Sequence, residues 1–146
     1  MSPPALLARF STRDVDPAVR RDAWQDIAHR WVDFRPAPDV PLEAELTILT
    51  SEACTLGATC SSAYEMRTGT QRAQPDDMVV LTLMQAGELV PEVYSRKSAG
   101  ALSLCEPREM GAFRWGQDAS QVFLTLPRSA AAEALGHEPR TALLSS

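Results

Sequence analysis

The sequence predicts a mainly β domain, a barrel or jelly roll with one amphipathic helix before it and one short helix after it. Three observations lead to this prediction. The longest apolar run between turn signals, Met78 to Gly87 (MVVLTLMQAG), is rich in strand-forming residues. A second run of the same character, Gln121 to Leu126, ends at Pro127. About eight such short segments follow one another at regular spacing, separated by Gly and Pro, as in sandwiches and barrels.

Composition limits the class of protein. A chain of 146 residues is typically one domain and can bury a core without metals or disulfides. The net charge of −5, with Lys97 as the one lysine, argues against a nucleic-acid surface, because phosphate binding needs clustered cations. The three cysteines form no CxxC pair, and no apolar run has the length of a signal peptide or a membrane helix. We therefore expect a soluble, cytoplasmic protein that contacts neither nucleic acid nor membrane directly.

Residues 1–14 are predicted to form an N-terminal arm. Pro3 and Pro4 delay regular structure there, and Phe10 supplies an apolar anchor. The sequence leaves two interpretations open: a tail packed on the barrel, or an arm that responds to a ligand or a partner.

An amphipathic helix is predicted over about residues 16–34. Asp16 followed by Pro17 is typical of a helix start, with a capping carboxylate and a proline at the first helical position. Apolar residues then recur at helical spacing as far as Phe34, and Pro36 forbids continuation.

Residues 41–127 are predicted to form the barrel. Pro41 to Thr50 alternates apolar and polar residues, so that one face is buried and one is wet. Pro91 confines its strand to a sheet edge or a bulge. A short Ala-rich helix is predicted over about residues 128–136, ended by Gly136, and we expect residues 137–146 to be only partly ordered. Further strands are predicted at residues 56–64, 78–87, 89–94, 101–105, 110–115 and 121–126.

The residues that metal and nucleophilic chemistry require are sparse. The two histidines, His29 and His137, lie outside the predicted barrel strands, so a His-rich metal site is not expected. The cysteine spacing does not match a zinc site, and no phosphate loop, dinucleotide fingerprint or nucleophile elbow occurs. We therefore expect no metal, no cofactor and no catalytic residue.

A barrel of this size can hold one small ligand in an apolar pocket that has a few polar groups. Arg67 stands out, because a guanidinium in apolar surroundings can bind a carboxylate or a phosphate through two hydrogen bonds. Its alternative role is a surface salt bridge. For the other candidates the alternative is core packing or an outward strand face. The full set of candidates is Tyr64, Met66, Arg67, Met84, Gln85, Tyr94 and Trp115.

Five stretches resemble, in order, the AraC-binding-like domain, the N-terminal sensor half of AraC/XylS-type transcription regulators. FSTRDVDPAVRRDAWQDIAHRWVDFRP (10–36) resembles its opening. SSAYEMRTGT (61–70) resembles its Arg-Thr strand end, and DDMVVLTLMQAGEL (76–89) its central strand, where Gln85 and Gly87 match a recurring pair. SLCEPREMGAFRW (103–115) and QVFLTLPRSAAAEALG (121–136) resemble the later strands and the closing helix. The similarity covers nearly the whole chain.

Two features depart from the family pattern. SRKSAGALSLCEP (95–107) lacks the Gly-Asp turn that is usual between the later strands. The dimerisation helix and the two helix-turn-helix units that follow the sensor domain in the family have no counterpart up to Ser146. We therefore expect the DNA-binding domain to be missing from this chain.

The resemblance implies a cupin-like β-barrel that binds a small effector and so controls DNA binding by the rest of a regulator. It implies a regulatory domain and not an enzyme, and it leaves the identity of the effector and the formation of a homodimer open. Two alternatives remain: a cupin-like enzyme without a His-metal site, such as an isomerase, and a packed barrel that only dimerises or binds a partner. The predicted effector contacts are Arg67, Tyr64, Gln85, Tyr94 and Trp115.

Overall fold

A computed structural model of the chain describes residues 6–28, 33–52, 54–69, 77–87, 89–91, 101–109 and 111–145, with the backbone alone at 89–91, 143 and 145. The described part is mainly β, as predicted, and has two helices, α1 (Arg20–Ala28) and α2 (Arg128–Leu135). In chain order the strands are β1 (Leu6–Ser11), β2 (Asp33–Pro36), β3 (Ala44–Thr50), β4 (Thr55–Ser61), β5 (Tyr64–Thr68), β6 (Met78–Ala86), β7 (Leu89–Pro91), β8 (Leu102–Cys105), β9 (Gly111–Trp115), β10 (Ala119–Pro127) and β11 (Ala142–Ser145).

The strands form two antiparallel sheets. The larger sheet has the order β1-β3-β4-β10-β6-β8-β11, and the smaller sheet has the order β2-β5-β9-β7. From β4 to β10 each strand lies in the opposite sheet from the one before it, and β10 returns to pair with β4. This alternation is the chain path of a jelly roll, the arrangement found in cupin barrels.

The interior between the sheets is the main core. Both sheets contribute to it, and α1 adds Trp24, whose side chain is fully buried. A second, smaller core lies on the outer face of the larger sheet, where α2 packs Ala131 against Val79 and Leu104. The main core comprises Trp24, Phe34, Ala44, Leu46, Tyr64, Met84, Phe113, Trp115 and Ala119.

The N-terminal segment belongs to the sheet. Residues 6–11, predicted as part of an arm, form the edge strand β1 and pair with β3, with Phe10 opposite Leu46. Thr12 follows in a short 3-10 turn, fully buried, and its Oγ1 accepts a hydrogen bond of 2.9 Å from the Ala44 amide. This buried contact holds the segment against the start of β3.

The prediction of a helix over residues 16–34 is correct at its start but extends too far at its end, since α1 ends at Ala28. Asp16 caps a 3-10 turn at Pro17–Val19, its carboxylate accepting from the Ala18 amide at 2.9 Å, and α1 follows. Residues 33–36, however, form β2, which pairs with β5 and buries Phe34. The prediction was wrong here because the apolar Phe34 fits a helical stripe and a strand equally well, and pairing with β5 decides between them.

The end of the chain has one strand that the sequence did not indicate. The predicted helix over residues 128–136 is observed as α2, and Gly136 ends it in the left-handed conformation with a φ of 79°. Beyond it, β11 pairs with β8. The Thr141 amide donates to Glu109 Oε1 at 2.9 Å and so directs the chain back to the sheet. Neither described helix is long and apolar enough to cross a membrane.

Candidate functional site

The predicted effector contacts lie on different faces of the barrel. In β5, Tyr64 is buried in the main core, whereas Arg67 is exposed. Successive side chains of a strand point to opposite faces, so two residues three positions apart cannot share a face. Tyr64 therefore faces the interior and Arg67 the outside of the smaller sheet. The three-residue spacing of Tyr64 and Arg67 in the sequence already implied that their side chains lie on opposite faces of one strand.

Tyr64 and Trp115 are brought together inside the barrel. Their rings stack with centroids 4.8 Å apart and planes inclined by 6°, and the ring of Phe34 lies 5.1 Å from that of Tyr64. The Trp115 indole Nε1 donates a 3.0 Å hydrogen bond to Oε1 of the buried Gln121. Burial raises the pKa of the Tyr64 hydroxyl far above its ordinary value, so this side chain is neutral at any physiological pH.

The described part of the interior is filled by side chains near the middle of the larger sheet. Phe123 of β10 lies opposite Gly57 of β4, and its ring occupies the space where a side chain at position 57 would lie. Phe123 is partly buried and packs against the main core, to which the fully buried Met84 belongs. Packing in this region supplies hydrophobic stabilisation.

Gln85 and Tyr94 do not join the aromatic pair. Gln85 is exposed on β6, next in the strand to the inward-facing Met84, and its Oε1 accepts a 3.3 Å hydrogen bond from Ser120 Oγ. Tyr94 lies outside the described residues. The structure thus unites Tyr64 and Trp115 and separates them from Arg67 and Gln85. Ligand contact by each of the five residues stays a prediction.

Arg67 borders a cleft of about 460 Å³ between α1 and the outer side of the smaller sheet. Helix α1 lies over the gap between β1 and β2, because Trp24 stacks on Phe10 at 5.9 Å and shares a core with Phe34. Arg21 fastens the helix to the edge of β2 by a 2.9 Å hydrogen bond from Nη2 to the Phe34 carbonyl oxygen. The cleft is lined by Arg21, Gln25, Asp33, Phe34, Arg35, Glu65 and Arg67.

Charges of opposite sign alternate along this cleft. Asp33 of β2 lies opposite Arg67 of β5, and Arg35 lies opposite Glu65. All four side chains share the outer face, because directly opposed residues of antiparallel strands point the same way. Within the described residues, Arg35, Glu65 and Arg67 form no salt bridge, whereas Arg21 pairs with Asp22 at 3.0 Å. Two guanidinium groups and one carboxylate are thus available to a ligand.

Sequence reasoning singled out Arg67 as a contact for a ligand inside the barrel and did not predict this cleft or its other lining residues. Asp33 was predicted to lie in the last turn of the helix and Arg35 just after it, which concealed their alternation with Phe34. Once residues 33–36 are interpreted as a strand, the charged positions 33 and 35 fall on one face, as do 65 and 67. The alternation of polar and apolar residues in DFRP (33–36) and YEMRT (64–68) was the signal that could have identified these charged positions.

A row of leucines crosses the outer face of the larger sheet. Leu7, Leu49 and Leu56 stand opposite one another on β1, β3 and β4, and they are 66%, 42% and 46% exposed. Leu124 continues the row on β10. At the other end of the row, Leu81 and Leu104 lie against α2. The helix thus covers one half of an apolar face and leaves the other half open to solvent.

Metal ligands do not cluster in the part of the chain that the structure describes. No group of three or more His, Cys, Asp or Glu residues there is placed to hold a metal ion. Among the described residues, Cys54, Cys60 and Cys105 form no disulfide.

Comparison with known proteins identifies the fold. No protein-family model and no curated protein matches the sequence. Among solved structures, the AraC-like transcriptional activator CuxR matches 88% of this chain with a TM-score of 0.70 and 23% sequence identity. The chain has the fold of this activator. It spans about half of it, since the match covers 51% of the activator's length.

Two other solved structures resemble the chain more loosely. They are the EutQ protein of Clostridium difficile, at 12% identity over 64% of this chain and 75% of that one, with a TM-score of 0.43, and KdgF from a Halomonas species, at 13% identity over 66% and 94%, with a TM-score of 0.42. The first match confirms the predicted fold, which is that of the matched part of an AraC-like activator.

Proposed function

We propose that the chain is an effector-sensing domain of a cytoplasmic AraC/XylS-type transcription regulator. One observation carries the proposal: the fold is that of an AraC-like activator over 88% of the chain. The sequence resemblance, which runs through the same elements in the same order, supports it further. In this proposal DNA binding belongs to a separate helix-turn-helix domain, and the acidic domain itself contacts no nucleic acid.

Sensing requires that the effector bind two conformations of the domain with different affinity. A ligand that binds both equally shifts no equilibrium, however tightly it binds. We propose that the two conformations differ in α1, which the Arg21 hydrogen bond joins to β2, and in the edge strand β1. Helix α1 lines the cleft beside Arg67, and β1 packs against α1, so an effector bound in that cleft would act on both segments.

A thermal-shift screen against a diverse metabolite library tests whether the domain binds an effector. A ligand at about 100 times its dissociation constant adds roughly 2.7 kcal/mol of stability, which raises the melting temperature of a domain of this size by several degrees. Recovery of the hit unchanged after prolonged incubation, measured by mass spectrometry, is the expected result. Consumption of the compound would instead favour the cupin-like enzyme, and a library without hits would argue against sensing.

The regulatory half of the proposal needs a separate experiment in cells. The transcripts of a strain that lacks the gene are compared with those of the parent, each grown with and without the hit compound. We expect the compound to alter a small set of transcripts only when the gene is present. An identical response in both strains would contradict a role in transcription regulation.

A second candidate function, dimerisation, is favoured by the leucine row. Its exposed half, Leu7, Leu49 and Leu56, is flanked on the same face by Arg9 and Glu45. We propose a second copy of this chain as the occupant, because a two-fold contact buries one patch in both copies and brings charges of opposite sign together. Sedimentation velocity tests this: Leu56→Glu should convert a dimer to a monomer, and Leu83→Glu, one row away, serves as the comparison. A parent protein that is monomeric at high concentration would refute it.

A further inference from the structure

We propose that the cleft beside Arg67, outside the barrel, binds a small zwitterion of the amino-acid type. This inference rests on the proposed sensing function and gives it a site and a ligand class. We place the effector in this cleft and not in the barrel interior, where Trp115 stacks on Tyr64 and donates a hydrogen bond to Gln121. Its volume of about 460 Å³ lies within the range of small-molecule sites.

The carboxylate end of the ligand is recognised by arginine. Arg67 and Arg35 lie diagonally across the β2–β5 pair on one face, and neither forms a salt bridge within the described residues. A guanidinium group presents two parallel N–H donors that match the two oxygens of a carboxylate. Arg21 is less available, because its guanidinium already donates to the Phe34 carbonyl oxygen and to Asp22.

The ammonium end of the ligand is recognised by Glu65. This carboxylate lines the same cleft, lies opposite Arg35, and forms no salt bridge within the described part of the chain. Asp33 adds a second acidic group at the diagonal position. These acids disfavour ligands with several negative charges, such as polyphosphates, because like charges at close range repel each other. Paired positive and negative groups therefore select a ligand that carries one charge of each sign.

Gln25 gives the cleft a neutral polar wall. It is the one glutamine of α1, it is 2% exposed, and it lies one turn after Arg21 on the helix side of the cleft. A ligand bound here would contact both the helix and the smaller sheet. Binding would thus favour one relative position of α1 and β2. Through these two elements, occupancy of the cleft would affect the conformation of the rest of the domain.

Isothermal titration calorimetry with the common amino acids, each tested singly, examines the proposal. We expect at least one to bind the parent domain, and Arg67→Ala to weaken its binding at least tenfold, since charge-assisted hydrogen bonds contribute about 1.5–3 kcal/mol. Arg114→Ala is the matched control: it removes the same charge from the same outer face, opposite Glu65, but Arg114 does not line the cleft. It should bind as the parent does.

Analogues of the bound amino acid separate the roles of the two charges. Glu65→Gln should weaken binding of the amino acid and leave binding of its analogue without the amino group unchanged. Arg67→Ala should weaken both. Failure of all amino acids to bind, or equal loss in Arg67→Ala and Arg114→Ala, would overturn the proposal.

These experiments test the cleft as the binding site separately from the proposed sensing function. If the metabolite screen gives a hit that Arg67→Ala binds as well as the parent, sensing stands and the cleft is not its site. If an amino acid binds through Arg67 but changes no transcript in cells, the result supports the cleft as a binding site and contradicts the regulatory role. Melting temperatures of Arg67→Ala and Arg114→Ala within a degree or two of the parent establish that both variants are folded.

Discussion

Phe123 occupies the space that a side chain at position 57 would need: a Cβ on Gly57 would lie 2.3 Å from Cζ and 2.6 Å from Cε1 of that ring. The two residues are direct partners on β10 and β4, in the middle of the larger sheet. A glycine here lets an aromatic ring fill the barrel between the sheets.

Gly57→Ala should therefore destabilise the domain. The added methyl group forces the Phe123 ring out of place, and overpacking of this kind costs about 1–3 kcal/mol of unfolding free energy. Urea denaturation measures it. In a Phe123→Leu background the same substitution should cost clearly less, and Ala58→Ser, on the exposed face of the same strand, should change little. An equal cost in both backgrounds would disprove the contact.

Tyr64 should make the domain sensitive to alkaline pH. Its pKa is raised in the folded state by burial, so the neutral hydroxyl is favoured there, whereas the unfolded chain ionises near the ordinary value of about 10. The contribution of Tyr64 to stability is therefore constant below about pH 10 and falls above it, because the unfolded state loses a proton that the folded state keeps. Absorbance at alkaline pH should record Tyr64 ionising together with unfolding. Ionisation of both tyrosines in the folded domain at their ordinary pKa would contradict this.

The hydrogen bond from Trp115 to Gln121 should contribute measurably to stability. Gln121→Leu leaves the buried indole N–H without its acceptor, which costs about 1–3 kcal/mol. Trp115→Phe removes the donor, so that in this background Gln121→Leu should cost little. A double-mutant cycle by chemical denaturation gives the coupling energy, and a coupling near zero would show that the bond is unimportant.

A buried ion pair should hold α2 against the sheet. Glu106, 3% exposed, pairs with Arg128 at the start of the helix, and Arg128 also donates to the largely exposed Asp77 at 2.6 Å. Glu106→Gln leaves the largely buried Arg128 guanidinium without its buried counter-charge and should cost about 3 kcal/mol. Asp77→Asn removes an exposed partner and should cost about 1 kcal/mol or less. Thermal denaturation compares them, and equal costs would contradict the role of burial.

Much of the fold could be predicted, because it follows from local pattern. The apolar run at Met78–Ala86, the turn signals and the cap at Asp16 each act within a few neighbouring residues. The errors arose where pairing between distant segments decides. Phe34 became a strand residue only because β5 offered it a partner, and β11 formed only because β8 presented a free edge.

The sequence by itself determined the class of fold and most of the strands of the barrel, and it singled out Arg67 as a candidate ligand contact. The tertiary structure decided on which side of the barrel each candidate lies. Tyr64 and Arg67 differ by three positions, so the pleat places one inside and one outside. The companions of Arg67 come from α1 and β2, segments whose approach depends on the packing of Trp24 and Phe34 in a shared core. A site assembled from three elements exists only after that core has formed.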